Sequence, residues 1–204
     1  GALLRAALAA RPLSNLKDRP WRLLAGPNLA GDERARLVAA APQGVTVEAN
    51  RDDFPSLLSR CAVSVSQAGY NTVAELLRAG CRAVVVPYSV GGETEQSFRA
   101  QRLHKRGLAH VVKETALGPE TLAAAVEQQN ALRAYVATGQ ETARRDYLAR
   151  KAAFDQAAQA LEGVGTGARL EGAAAQDVAA GVAHGAGGFD HVLFVLDRAG
   201  PGHD

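Results

Sequence analysis

The residues with the most chemical potential sit in two short segments. The first is Ser66-Gln67-Ala68-Gly69-Tyr70-Asn71-Thr72, followed by Val73-Ala74-Glu75. Gly69 permits close backbone approach, and Asn71 and Thr72 stand at an expected helix start. Unpaired N–H groups and the positive end of a helix dipole attract a phosphate there. A structural reading competes, since Thr72 and Glu75 have capping-box spacing and could simply close their own helix. The second segment is Pro87-Tyr88-Ser89-Val90-Gly91-Gly92-Glu93-Thr94-Glu95-Gln96. Glu95 and Gln96 can accept and donate hydrogen bonds to adjacent hydroxyls, as a sugar ring requires. The competing reading is that acids in a first turn only complement the dipole. Two such loops, one strand-helix unit apart, say more than either alone.

The elements around these loops must bring them to one edge. Short Val/Leu/Ala runs alternate with longer helical stretches, the pattern of an α/β fold with an open parallel sheet. Strands are expected at Trp21 to Ala25, Val45 to Glu48, Ala62 to Ser66, Arg82 to Val86 and Ala109 to Lys113. Helices are expected at Leu3 to Ala10, Asp32 to Ala41, a short one opening at Asp52-Asp53-Phe54-Pro55, Thr72 to Ala79 stopped by Gly80, Thr94 to Arg106 stopped by Gly107, and one starting at Gly118-Pro119. In such sheets ligands bind beyond the carboxyl ends of the strands, and both segments fall there.

Four regions are expected: a Rossmann-like domain over 1–136, helices over 137–162, a Gly/Ala-rich linker over 163–190, and a strand with a Gly-x-Gly-His loop over 191–204. The apolar run His191 to Leu196 has no sheet of its own here, so it should pack poorly or borrow an edge of the existing sheet.

Composition narrows the function classes. The chain has 204 residues, 47% hydrophobic, with 23 Lys plus Arg against 21 Asp plus Glu, enough for one ordinary core and without the basic excess of a nucleic-acid binder. No apolar run is long enough for a membrane span, and no signal peptide is visible. A soluble cytoplasmic protein working near the inner membrane surface is the expectation. Met is absent, and the chain opens within an expected helix, so it reads as a fragment. The five histidines lack metal-site clustering, and no metal is expected. Cys61 and Cys81 each precede one of two consecutive strands, so they should lie close together and stay reduced.

The run from Ser66 to Leu77, followed by Pro87-Tyr88, Gly91-Gly92-Glu93, Glu95-Gln96, Arg99-Ala100 and Arg102-Leu103, resembles the C-terminal domain of GT-B glycosyltransferases in their MurG-like branch. The resemblance runs from about Leu3 to about Gln128 and is densest from Val63 to Gly107. It implies a domain that holds a nucleotide-sugar, usually UDP-linked, without a metal or other cofactor. Glu75 would bond the ribose hydroxyls, while Gly69, Asn71 and Thr72 would approach the diphosphate. Glu95 and Gln96 would contact the donor sugar, with Arg99 where relatives often have Asn. Phe54 would lie near the segment beside the base. The partner implied is an N-terminal acceptor domain carrying the general base, with peripheral membrane association. His191 to Leu196 and Gly200-Pro201-Gly202-His203 resemble the opening of a second GT-B unit, and more weakly a motif of a small membrane-protein family. Competing readings are an epimerase or hydrolase of the same fold and a non-catalytic nucleotide-sugar-binding module. A dinucleotide oxidoreductase fits less well, since no Gly-x-Gly-x-x-Gly opens a helix.

Overall fold

A computed structural model describes residues 1–49, 51–89, 94–149 and 152, and the backbone of 191–194. Its helices are α1 (Ala2–Ala10), α2 (Gly31–Ala40), α3 (Phe54–Arg60), α4 (Tyr70–Ala79), α5 (Glu95–Lys105), α6 (Pro119–Thr138) and α7 (141–149). The strands are β1 (Trp21–Ala25), β2 (Val45–Ala49), β3 (Val63–Ser66), β4 (Ala83–Val85), β5 (His110–Val111) and β6 (His191–Phe194), in the sheet order β2-β1-β6-β3-β4-β5. Pairings β1–β2, β3–β4 and β4–β5 are parallel, with Ser64 opposite Ala83 and Val84 opposite His110.

Strand side chains alternate between two apolar layers. Leu23, Val63, Val65 and Val84 pack with Leu3, Leu4 and Ala7 of α1 and Leu122 and Val126 of α6. Leu24, Ala83 and Val85 turn to the other face, against Leu57 and Leu58 of α3, Val73 and Leu76 of α4, and Ala100 and Leu103 of α5. Burial on both faces explains why β4, Ala83-Val84-Val85, is an uninterrupted apolar run, whereas β3 alternates Val63 and Val65 with the fully buried Ser64 and Ser66. Trp21 closes the first layer at 1% exposure, and its indole N–H donates to the Leu16 carbonyl at 2.9 Å. Helices α4 and α5 each stop where a left-handed residue is needed. Gly80 (φ 61°) donates its N–H to Leu76 O at 3.0 Å, and Gly107 (φ 67°) donates to His104 O at 2.9 Å.

Three expectations are corrected. Helix α4 begins at Tyr70, two residues before Thr72, because extended Gly69 (ψ 149°) is its N-cap and no side chain caps it. Strand β5 has two residues rather than five, because it is an edge strand paired only to the short β4. The tail strand takes no edge: β6 lies between β1 and β3, antiparallel to both, with Val192 opposite Leu23 and Val65. In that lane its backbone completes two ladders, where an edge would complete one. The otherwise parallel sheet therefore contains one reversed strand. The whole of the expected linker over 163–190, the end of the expected C-terminal helices and the Gly-x-Gly-His loop lie outside the described residues.

Candidate functional site

The carboxyl ends of β3 and β4 carry the two loops singled out above, and the parallel β3–β4 pairing makes those loops neighbours. Loop one runs from Ser66 to Gly69 into α4. Ser66 and Thr72 are buried, at 0% and 4% exposure, whereas Asn71 is exposed and Glu75 is half-buried. The first-turn N–H groups of α4, at Tyr70, Asn71 and Thr72, have no partner within the helix, as at any helix start. Because the helix starts at Tyr70, Thr72 and Glu75 lie inside it and form no capping box. Glu75 is thus not accounted for by closure of its own helix.

Loop two leaves β4 through Pro87 and enters α5 at Glu95, with Thr94 as the N-cap. Gly91 and Gly92 lie outside the described residues. Glu95 occupies the first turn with its side chain 83% exposed, next to the buried Gln96 at 6%. The Gln96 side-chain oxygen accepts the backbone N–H of Ala68 in loop one and of Tyr88 in loop two, each at 3.1 Å. One side chain therefore joins the two loops. Arg99, one turn further along α5, donates from Nη1 to the Ala68 carbonyl at 2.6 Å. Its guanidinium also lies 5.8 Å from the Tyr70 ring centroid and 3.7 Å from Glu95. A cation is thereby held against loop one close to the start of α4.

Sequence reasoning missed the support on the far side of loop two. Glu114, just past β5, accepts both the backbone N–H and the hydroxyl of Ser89 at 2.8 Å. Ser89 and Glu114 line a cavity of about 480 Å³ together with Gln101, His104 and Lys113. His104 reads in the sequence as a helix-face residue, and its ring also meets His110 edge-on, at 6.0 Å between centroids. No local spacing links Ser89 to Glu114; only the β4–β5 pairing brings them together.

Phe54 stands just past the carboxyl end of β2, on the same edge of the sheet. It opens α3 and is 9% exposed, packed with Leu24, Leu57 and Leu58. Core packing accounts for its burial. The neighbouring charges form their own cluster: Arg51 binds Asp53 through two nitrogens, at 2.7 and 2.9 Å, and reaches Glu48 at 3.1 Å. The Asp53 carboxyl is held below the ordinary aspartate range, chiefly by its hydrogen bond from Arg51.

At the carboxyl edge, then, stand a helix N-terminus, a tethered arginine, a half-buried acid on the same helix and an exposed acid on the next. Such a set can hold a phosphorylated, hydroxyl-rich ligand. Relatives and structural neighbours agree with this architecture. The chain is 36% identical over 75 residues to the UDP-N-acetylglucosamine–N-acetylmuramyl-(pentapeptide) pyrophosphoryl-undecaprenol N-acetylglucosamine transferase of Desulfitobacterium hafniense (strain Y51), covering 37% of this chain and 20% of that protein. It is 30% identical over 127 residues to the enzyme of the same name from an Exiguobacterium species, covering 62% of this chain and 35% of the relative. The chain thus spans between about a fifth and a third of the length of these relatives. The glycotransferase of kitacinnamycin shares the fold, with a TM-score of 0.53 and 21% identity over 78% of this chain and 38% of that one. The glycosyltransferase family 28 C-terminal domain model matches residues 5–159, and the chain belongs to that family.

Proposed function

We propose that this chain is the donor-binding half of a glycosyltransferase, holding a nucleotide-sugar, UDP-linked, between loop one and loop two. The observation that carries the reading is the Gln96 bridge, which fixes both ligand loops side by side at the carboxyl edge of β3 and β4. Glu75 is assigned to the ribose hydroxyls, the start of α4 to the diphosphate, and Glu95 to the donor sugar. In the transfer, an acceptor hydroxyl attacks the anomeric carbon, the bond from that carbon to the diphosphate oxygen breaks, and the nucleoside diphosphate leaves. The charge growing on the leaving oxygen would meet the N–H groups of α4 and the Arg99 guanidinium, which require no reorganisation at that moment. No metal is assigned a role.

The acceptor pocket and general base are assigned to a separate N-terminal domain. The names of the relatives include a pyrophosphoryl-undecaprenol unit, and a lipid-linked acceptor for this protein would bring it to a membrane surface. Isothermal titration of the chain with UDP, ADP and GDP, paired with an assay of donor consumption, tests the reading. Weak binding selective for UDP without turnover is expected. Equal affinity for all three nucleotides, or efficient acceptor glycosylation by this chain alone, would overturn it.

A further inference from the structure

Cys61 caps the end of α3, and Cys81 directly follows the Gly80 that stops α4. Each enters a strand, and β3 and β4 are parallel neighbours with Ser64 opposite Ala83. Continuing that register two residues toward the amino edge sets Ala62 opposite Cys81, so Cys61 is one residue out of step. A strand spacing of about 4.8 Å and a rise of about 3.3 Å per residue put the two Cα atoms roughly 6 Å apart, inside the disulfide range. Both thiols are free. The Cys61 thiol donates to the Leu58 carbonyl, 3.2 Å away.

The two thiols have different surroundings. Cys61 is 9% exposed and packs in the apolar layer with Leu57, Leu58 and Leu76. Cys81 is partly exposed and lines a surface cavity of about 180 Å³ with Leu77, Arg82 and Leu108. The hydrogen bond from Cys61 holds the Cys81 thiol below its usual range. The same bond, with burial, pushes Cys61 well above it, and the Arg133 charge offsets part of that rise. A reachable thiol with thiolate character backed by a buried one is the arrangement in which the first reacts and the second resolves.

We propose that Cys61 and Cys81 form a two-thiol redox site, in which Cys81 reacts with a low-molecular-weight disulfide and Cys61 converts the adduct to an intramolecular disulfide. The Cys81 thiolate attacks one sulfur of the small disulfide, whose S–S bond breaks. The departing thiolate takes up the proton that Cys81 has lost. Cys61 then gives up its proton and attacks the Cys81 sulfur of the mixed disulfide, and the second small thiolate leaves carrying that proton. The protein loses two electrons and the small disulfide becomes two thiols. The bond would lie at the amino edge of the sheet, opposite the ligand loops, and would close a loop holding β3, loop one and α4.

The test uses the full chain, reduced, freed of reductant and incubated with oxidised glutathione near neutral pH. Free thiols are then capped with N-ethylmaleimide and the intact mass is read. The chain should become two hydrogens lighter, with no maleimide and no retained glutathione, at a rate independent of protein concentration. Cys61→Ser should stop at one glutathione adduct on Cys81, while the remaining thiol of Cys81→Ser should react about tenfold or more slowly. The oxidised chain should melt several degrees higher, since the crosslink shortens the free loop of the unfolded state. Two capped thiols, a persistent mixed disulfide in the parent chain, crosslinked dimers, or Cys61 reacting as fast as Cys81 would each overturn the proposal. Circular dichroism of both serine variants shows that the comparison is made on folded protein.

Discussion

Replacing Gln96 with alanine separates two roles that the sequence cannot tell apart: contact with the donor sugar, or placement of the two loops. In the folded chain the Gln96 oxygen accepts two backbone N–H groups, of Ala68 and Tyr88, at 3.1 Å each. Truncation leaves the buried Ala68 N–H without that acceptor, at a cost of about 1–3 kcal/mol. The Tyr88 bond is only part-buried, so water can replace most of it and its loss costs about 1 kcal/mol or less. The sum is about 1–4 kcal/mol, or roughly 2–16 °C in melting temperature for a chain of this size. Binding carries the more informative signal. If Gln96 places the loops, Gln96→Ala weakens UDP and UDP-sugar alike, because the site must be reassembled for either ligand. Gln96→Glu, which keeps an acceptor oxygen in place, should recover a large part of the stability. Urea denaturation gives the first quantity and titration with UDP and a UDP-sugar the second. A variant as stable as the parent, with unchanged UDP affinity and a loss confined to the UDP-sugar, would refute the reasoning and return Gln96 to the sugar pocket.

Glu75→Ala should weaken UDP binding by about 1.5–3 kcal/mol, as for a charged hydrogen-bond partner, with little change in the urea midpoint because Glu75 caps nothing; unchanged affinity in titration would remove Glu75 from the site. Glu114→Ala should release Ser89 and cost about 1 kcal/mol, since the paired groups are exposed, while weakening UDP-sugar binding; urea melts and titration on the same samples read both effects. Asp53 has a lowered pKa in the folded chain, so its pairing with Arg51 contributes fully above the ordinary aspartate value of about 3.9 and is lost as pH falls through the lower folded value. Arg51→Gln should flatten that acid limb in urea midpoints taken from roughly pH 6 to pH 3, and parallel curves for parent and variant would count against the pairing.

How much of this was legible in the sequence depends on range. Strand β1 is found where the sequence reading puts it, Trp21 to Ala25, because an apolar run between turn residues is a local signal. Gly80 and Gly107 end α4 and α5 as read, since a left-handed stop has a one-residue signature. The error of two residues at the start of α4 has a local cause as well. Thr72 and Glu75 carry a capping-box spacing, but extended Gly69 starts the helix before that box could form. The Gln96 bridge and the Ser89–Glu114 pair were not legible. They join residues separated by 28, 8 and 25 positions through side chains whose type alone suits many roles. Phe54 is placed beside the base only by the family resemblance, and its packing with Leu24, Leu57 and Leu58 supplies a second reason for an aromatic there.

The placement of β6 follows from the strand order itself. From the centre of the sheet the order runs one way through β1 to β2 and the other way through β3, β4 and β5, so the switch point falls between β1 and β3. Those two strands are not paired to each other; each pairs to β6 on its inner side. A strand added at β2 or β5 would satisfy one row of backbone groups, whereas His191–Phe194 in the lane satisfies a row on each neighbour. Its direction sets what reaches the site. Running antiparallel, it places His191 opposite Leu24 and Ser66, at the carboxyl edge, and Phe194 opposite Val63 at the other end. The ligand loops depend on neither its identity nor its direction, because loop one and loop two are joined through Gln96 and through the β3–β4 ladder on the side of β3 away from the lane. A different strand in that lane would change what borders Ser66 and leave the Gln96 bridge in place.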